Sequence, residues 1–223
     1  MRTRLGGLAL CLLLAGCPPP GGDYTKDPVL LLPGWGLSGL GSFTALKLAL
    51  VDRGWPAERL FELAYTDGFD CIEFSAADLA VAVDNALAAT GKEKVDLVGH
   101  SMGGIIARYY VRNLGGATKV RDVATLAGPN HGSAFPPVGF LSCAANQMMT
   151  GSPFMNALND GDETPGAAVK WTAMIAQFDE IVLPPSSAVL AGAWNVSIPT
   201  AHLLILTHSD TYAFLHAALD GGG

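Results

Sequence analysis

Residues 95–110 read VDLVGHSMGGIIARYY, and this stretch decides the fold. Its first half is a largely apolar run, and its second half has apolar residues at helical spacing. The pattern Gly-x-Ser-x-Gly lies at the junction, where a strand has to turn sharply into a helix. Gly99 and Gly103 flank Ser101, and because glycine has no Cβ, the chain can pass close by at both positions. The stretch therefore predicts a strand, a strained turn at the serine, and a helix.

The rest of the chain alternates between strand-like and helix-like segments. Short apolar runs predict strands at 29–33, 60–65, 94–99, 119–128, 169–176 and 194–198. Helical spacing of apolar residues predicts helices at 41–54, 75–91, 102–116 and 209–219. This alternation is typical of an α/β fold, with a doubly wound, mostly parallel sheet and helices on both faces.

Two local expectations accompany this pattern. Ser75 is expected to be the N-cap of the second predicted helix, with Asp78 three residues later and Gly91 at its end. Residues 129–168 are rich in Gly, Pro, Ser and Asn, and we expect them to be irregular.

Composition and charge narrow the class of protein. The 223 residues are 50% hydrophobic and 15% charged, with a formal net charge of −7. A chain of this length and composition can bury one sizeable core, so a single ordered domain is expected. The negative charge argues against a nucleic-acid partner, because binding to phosphates requires a basic face.

The N-terminal stretch MRTRLGGLALCLLLAGC is typical of a secretion signal, with two arginines followed by a short apolar run. Its end, LAGC at 14–17, resembles a bacterial lipobox, which implies that residues 1–16 are removed and that Cys17 is lipidated. Residues 17–27 then form a Pro/Gly-rich tether, and residues 28–223 form the folded domain. This predicts an extracytoplasmic protein, anchored by lipid to the membrane of the bacterial cell envelope. The alternative is an ordinary cleaved signal and a secreted protein.

The remaining cysteines form an even pair. Cys71 and Cys143 are left once the signal is removed and Cys17 carries lipid. In an oxidising compartment they could form a disulfide, and the alternative is two buried free thiols. No spacing of cysteines and histidines suggests a metal site, so neither a metal nor another cofactor is expected.

Several separate stretches share one resemblance. GHSMGG (99–104), TLAGPNHGS (125–133), GSPFMNALNDGDETPG (151–166) and KWTAMIAQFDEIVLP (170–184) are similar, in this order, to the class 2 lipases, a family of small bacterial triacylglycerol lipases. The resemblance extends over about residues 28–219. It implies an α/β-hydrolase fold and a serine hydrolase that cleaves acyl esters of lipids.

Such a hydrolase needs an orienting acid and a base after the serine, in the order Ser, Asp or Glu, His. Asp179 directly follows the predicted strand 169–176 and matches the acid of the family, with Glu180 as the alternative. By contrast, the acidic residues in the preceding irregular region are interpreted as solvated loop charges: Asp160, Asp162 and Glu163.

The base is assigned among five histidines. His202 follows the predicted strand 194–198 and matches the family's Gly-His, although Ala201 replaces that glycine. The departure leaves His208 as the alternative. The other three are assigned elsewhere: His131 precedes the acid, His216 lies on the last helix, and His100 packs beside the serine.

The oxyanion of the reaction needs two N–H donors. The backbone N–H of Met102, at the start of a helix, is expected to be one. The backbone N–H of Trp35, in the turn after the first strand, is expected to be the other. Family members usually have His-Gly at this turn, and Pro33 replaces that histidine.

Apolar side chains are expected at the rim of the site and would suit an acyl chain. They are Trp35, Leu37, Met102, Phe135, Val138, Phe140, Leu141, Met148, Met149, Phe154 and Met155. Residues 134–160 could be a mobile cover or a packed excursion. The motifs specify the nucleophile and not the leaving group, so another esterase, a phospholipase or a thioesterase remains an alternative. A non-catalytic lipoprotein that binds lipid on the same scaffold is a further one.

Overall fold

The computed structural model describes residues 22–37, 41–67, 69–134 and 142–220. The predicted signal peptide and Cys17 lie outside these residues. Six strands form one sheet in the described chain, with the order β2-β1-β3-β4-β5-β6, and every pairing given for them is parallel. The strands are β1 (Val29–Leu32), β2 (Leu60–Glu62), β3 (Val95–His100), β4 (Val120–Leu126), β5 (Lys170–Ala176) and β6 (Trp194–Ile198).

Helices cover both faces of this sheet. They are α1 (Thr44–Val51), α2 (Ile72–Thr90), α3 (Met102–Asn113), α4 (Cys143–Gln147), α5 (Pro153–Asn159) and α6 (Ser209–Leu219). Helices α2 and α3 share one apolar core with the sheet, and α1 and α6 share the other. The architecture is that of an α/β-hydrolase fold, as the sequence predicts. Among the described residues, no helix has the length and apolar character needed to cross a bilayer.

Strand β1, which lies between β2 and β3, has no polar residue, and the packing of its two faces explains why. Leu30 and Leu32 lie in the core beneath α2 and α3, whereas Val29 and Leu31 lie in the core beneath α1 and α6. Successive side chains of a strand point to opposite faces, and both faces are covered here, so every position has to be apolar.

The predicted start of α2 was wrong by three residues. The helix begins at Ile72, and Ser75 is buried within it rather than at its N-cap. The free N–H of Ile72 donates instead to Gln147 Oε1, a side chain that follows 75 residues later. Asp78 accepts hydrogen bonds from the backbone and hydroxyl of Thr66. Tertiary contacts thus replace the predicted local cap. The helix ends at Gly91, as predicted, and Gly91 has a left-handed conformation.

The region 129–168 is less irregular than predicted, because it contains α4 and α5. Each helix has a serine N-cap: Ser142 Oγ accepts from Ala145 N, and Ser152 Oγ accepts from Met155 N. Pro153 occupies the first turn of α5, where a missing N–H has no cost. The Ser-Pro pair is a local helix signal that the glycine-rich composition obscured.

A buried acidic cluster lies at the opposite end of the sheet from the serine turn. The guanidinium nitrogens of Arg121 lie 3.1, 3.3 and 3.1 Å from carboxyl oxygens of Asp27, Asp96 and Asp122. The Asp96 side chain is fully buried, and burial raises the pKa of this carboxyl from 3.8 to about 8 despite the attraction of Arg121.

We expect this cluster to make the protein less stable as the pH rises. Between about pH 4 and pH 8, folded Asp96 holds a proton that the unfolded chain has released, so the free energy of unfolding falls over this window. Urea unfolding at about pH 6.5, 7.2 and 8 should show the fall in the wild type and a smaller one in Asp96→Asn. Below about pH 6.5 the buried, neutral His100 contributes a rise with pH that opposes the fall. Burial also raises the pKa of Asp122, so part of the fall remains in the variant. Equal slopes for the two proteins would contradict the assignment.

Candidate active site

Ser101 occupies the turn between β3 and α3, at the carboxyl end of the sheet. Its backbone has φ 53° and ψ −122°, a region that residues other than glycine rarely adopt. Such a conformation costs on the order of 1–3 kcal/mol and persists where the surroundings hold it in place. Here Ser101 N donates to Leu126 O at 2.9 Å, and Gly104 N donates to Ser101 O at 3.0 Å.

The two glycines around Ser101 are required by the space available. A Cβ on Gly99 would lie 2.4 Å from the backbone carbon of Gly103, and a Cβ on Gly103 would lie 2.1 Å from the carbonyl oxygen of Leu32. The neighbouring atoms are backbone, so they cannot move aside as a flexible side chain could. The close approach that the motif predicted is therefore present at both positions.

A methyl group at Gly103 should disrupt this turn. We expect Gly103→Ala to lower the free energy of unfolding by about 2–4 kcal/mol or to prevent folding, because β1 and α3 would have to separate. Gly104→Ala is the matched control in the next position, where the new Cβ would meet the side chain of Thr125 at 3.1 Å. Urea unfolding measures both, and equal stability of the two variants would contradict the steric argument.

The structure brings Asp179 and His202 together. Asp179 follows β5, His202 follows β6, and His202 Nδ1 lies 2.8 Å from Asp179 Oδ2, with both side chains almost completely buried. The other carboxylate oxygen, Asp179 Oδ1, accepts from the backbone N–H groups of Ile181 and Val182 at 2.9 and 2.7 Å. The carboxylate is thus fixed by its own loop while it faces the imidazole.

The alternative acid and base lie elsewhere. Glu180 Oε2 accepts from the backbone N–H of His202 at 3.1 Å and not from its ring. His208 is the N-cap of α6, where its Nδ1 accepts from Asp210 N at 3.2 Å. Neither side chain lines the cavity that contains Ser101.

The contacts of Glu163 correct one expectation about the acids of the irregular region. His131 Nε2 lies 2.9 Å from Glu163 Oε1, and Glu163 Oε2 accepts from Ala191 N. Glu163 therefore joins two loops and is not the solvated charge that was predicted, whereas Asp160 and Asp162 are exposed. His216 of α6 is half-buried, and its ring packs edge-on against Trp55.

His100 packs between the serine turn and His202. Its ring centroid lies 4.8 Å from that of His202, and its Nε2 lies 3.2 Å from the carbonyl oxygen of His202. Burial, together with the neighbouring His202, lowers the pKa of His100 from 6.5 to about 3. The ring is therefore neutral at neutral pH.

Ser101 and His202 line one apolar cavity of about 300 Å³, a size that suits part of a small ligand. The loop after β1 forms the wall beside the serine, since a Cβ on Gly34 would lie 3.1 Å from Ser101 Cβ. Trp35 follows in this loop, and its Nε1 donates to Ser142 Oγ at 3.0 Å. Met102 is fully buried at the first turn of α3.

The sequence model of the class 2 lipases matches residues 26–213, which is most of the chain. The chain belongs to the class 2 lipase family. This agrees with the geometry at the carboxyl end of the sheet and makes the protein a hydrolase of the lipase and esterase kind.

Solved structures of other proteins share the fold of this chain. The mature form of a Bacillus licheniformis lipase has a TM-score of 0.77 and 18% identity, over 92% of this chain and 96% of that one. Lipase B of Aspergillus fumigatus has a TM-score of 0.73 and 21% identity, over 91% of this chain. The present chain spans only 55% of that fungal protein. A lipase-esterase related protein from Clostridium acetobutylicum has a TM-score of 0.62 and 14% identity, over 91% and 97% of the two chains.

The cavity of this class 2 lipase family member differs in part from the predicted rim. Four predicted residues line it: Trp35, Leu37, Met148 and Met149. Two others, Met102 and Met155, are buried in the core, and Phe154 stacks on Tyr109 instead. The remaining four, Phe135, Val138, Phe140 and Leu141, lie outside the described residues.

Sequence reasoning missed an apolar group beside the acid and the base. Ile181, Val182 and Leu203 all line the cavity. Their positions next to Asp179 and His202 were an available signal, because apolar residues that flank two site residues in the chain are carried into the same cavity.

A disulfide connects one wall of the cavity to the fold. It joins Cys71, before α2, to Cys143 at the start of α4, with the two Cα atoms 4.7 Å apart. Ala145 of α4 lines the cavity, as does Met148 just after the helix. The bridge therefore anchors a short helix that could not be stable by itself.

Proposed function

We propose that the chain hydrolyses carboxylic esters of lipids, triacylglycerols foremost, with Ser101 as nucleophile, His202 as base and Asp179 as the orienting acid. The observation that carries this proposal is the buried Asp179–His202 pair, whose histidine lines the same cavity as a serine held on a strained turn. A serine hydroxyl is a weak nucleophile and becomes reactive when an oriented base accepts its proton.

In the proposed reaction, Ser101 Oγ attacks the ester carbonyl carbon while His202 Nε2 takes its proton. Because Nδ1–H of His202 is directed to Asp179, Nε2 is the nitrogen left to act as base. The backbone N–H groups of Met102 and Trp35 stabilise the oxyanion. His202 then returns the proton to the leaving alcohol, and water attacks the acyl-enzyme with the same base.

The substrate class follows from the lining of the cavity. Apart from the reacting groups, the lining is almost entirely apolar, including Leu37, Met148, Ile181 and Leu203. Such walls favour a hydrocarbon chain over a polar substituent. Two of the solved structures that share this fold are named lipases, which agrees with the proposed substrate.

The test is hydrolysis of p-nitrophenyl butyrate, p-nitrophenyl palmitate and an emulsified triacylglycerol by the folded protein without residues 1–17. We expect cleavage of all three. Cleavage of the butyrate ester alone would indicate an esterase of small substrates. Release of fatty acid from phospholipid but not from triacylglycerol would indicate a phospholipase. No cleavage of any ester by folded protein would refute the proposal and favour a lipid-binding scaffold.

We further propose an extracytoplasmic location in the bacterial cell envelope, with a lipid anchor on Cys17. The Cys71–Cys143 disulfide supports an oxidising compartment. Expression of the whole chain in a bacterium tests the anchor, because Cys17→Ser should move the protein from the membrane fraction to a soluble one. The same distribution for the wild type and the variant would contradict it.

A further inference from the structure

We propose that His100 and Glu180 are positioning residues that hold the backbone of His202 on its two sides. This inference rests on the proposed function. The N–H of His202 donates to Glu180 Oε2 at 3.1 Å, and the carbonyl of His202 accepts from His100 Nε2–H at 3.2 Å. With the bond from its ring to Asp179, His202 is held at three points.

His202 needs such support because of its place in the chain. It lies in a turn between β6 and α6, outside any helix or strand. Residues in turns lack the repeated hydrogen bonds that fix the backbone of regular elements. The two bonds come from different parts of the fold, namely the last residue of β3 and the loop after β5. They therefore tie the base to the turn that carries the serine and to the loop that carries the acid.

The chemistry of the groups fixes the direction of each bond. A backbone carbonyl can only accept, so His100 has its proton on Nε2. A backbone N–H can only donate, so the carboxylate of Glu180 accepts. The neutral state of His100 also matters, because a second charged imidazole 4.8 Å away would oppose the charge that forms on His202 in the reaction.

One feature of His100 indicates that the residue has a functional role rather than a packing role. Its Nδ1 is buried and, within the described chain, has no hydrogen-bond partner. A buried polar atom without a partner is unfavourable, so an apolar side chain of similar size would suit the packing at least as well. Retaining a histidine is explained by its one satisfied atom, Nε2, which donates to His202.

The two adjacent acids, Asp179 and Glu180, thus have different roles. Asp179 faces the ring of His202 and is buried, whereas Glu180 faces the backbone of His202 and is exposed. Water can partly replace an exposed acceptor, so the contribution of Glu180 should be the smaller one. Sequence reasoning treated the pair as competitors for one role.

The experiment uses pairs of variants that keep or remove the hydrogen bond. His100→Gln keeps a donor near the position of Nε2, and His100→Met removes it. We expect His100→Met to lower kcat on p-nitrophenyl butyrate about 10–100-fold, with KM changed less than about 3-fold and thermal stability equal or higher. His100→Gln should stay within about 5-fold of wild type. His208→Gln, a histidine away from the cavity, is the matched control and should leave kcat unchanged.

The Glu180 pair follows the same logic. Glu180→Gln keeps an acceptor, and Glu180→Ala removes it, so we expect losses in kcat below about 2-fold and of about 5–10-fold, respectively. Wild-type kcat in both His100→Met and Glu180→Ala would overturn the proposal. So would equal losses in His100→Met and His100→Gln, because the donor would then not be the cause. Losses in kcat that parallel the losses in melting temperature would show that the two residues have a merely structural role.

A second measurement separates this inference from the proposed function. Hydrogen exchange of the His202 backbone amide should become at least about 10-fold faster in Glu180→Ala and stay slow in Glu180→Gln. If the exchange is fast in Glu180→Ala and slow in Glu180→Gln but the wild type is inactive, the hydrolase function is refuted while the positioning of the His202 backbone is supported. Active wild-type protein with equal exchange rates in Glu180→Ala and Glu180→Gln would support the hydrolase function and refute the positioning role of Glu180.

Discussion

Ser101→Ala is expected to lower kcat/KM on p-nitrophenyl esters by at least about 10⁴-fold, without loss of stability. The nucleophile and its base act as a unit, so removing the attacking oxygen leaves only the weak catalysis that the oxyanion donors provide. Stability should be unchanged or higher, because the turn at Ser101 is held by backbone bonds to Leu126 and Gly104 that alanine retains. Urea unfolding and the initial rate of p-nitrophenol release measure the two quantities.

The control for this prediction is Ser197→Ala, which changes an exposed serine on β6 and should leave the activity within about 2-fold. A fluorophosphonate provides an independent readout, because it should label the peptide that contains Ser101 in the wild type and leave the variant unlabelled. Activity above about 1% in folded Ser101→Ala would show that another group attacks the ester.

The turn at Ser101 could be predicted because local constraints there agree with global ones. An apolar run, a serine between two glycines and a helical pattern have few other arrangements, and the steric space at Gly99 and Gly103 shows why. The last helix, predicted at 209–219, has the same bounds in the structure. In both places the pattern along the chain itself indicates the conformation.

Prediction failed where distant residues decide the conformation. The start of α2 depends on Gln147 and on the disulfide at Cys71, and neither contact can be recognised in the stretch that forms the helix. The same dependence on distant residues explains why some parts of the site could be predicted from the sequence and others could not. The order of acid and base along the sheet predicts that Asp179 and His202 meet, since the carboxyl ends of parallel strands share an edge. The backbone contacts of His100 and Glu180 depend on the path of a turn, which no periodicity describes.

The pairing of Asp179 with His202 leads to the second large effect. Asp179→Asn should lower kcat about 10³–10⁴-fold while the fold is retained. The amide oxygen can still accept from Ile181 and Val182, so the loop after β5 keeps its bonds. The amide nitrogen then replaces Oδ2 opposite His202 and, as a donor, favours the tautomer with a bare Nδ1. That tautomer has its proton on Nε2 and cannot accept one from Ser101.

Two matched variants make this prediction specific to one carboxylate. Glu180→Gln neutralises the adjacent acid, and Asp160→Asn neutralises an exposed acid of the 129–168 region. If Asp179 orients the base, Glu180→Gln loses less than about 2-fold and Asp160→Asn is unchanged, because neither acid faces the imidazole. A larger loss in Glu180→Gln than in Asp179→Asn would transfer the orienting role to Glu180. Steady-state kinetics on one soluble ester decide between them, because the order of the two losses alone identifies the acid.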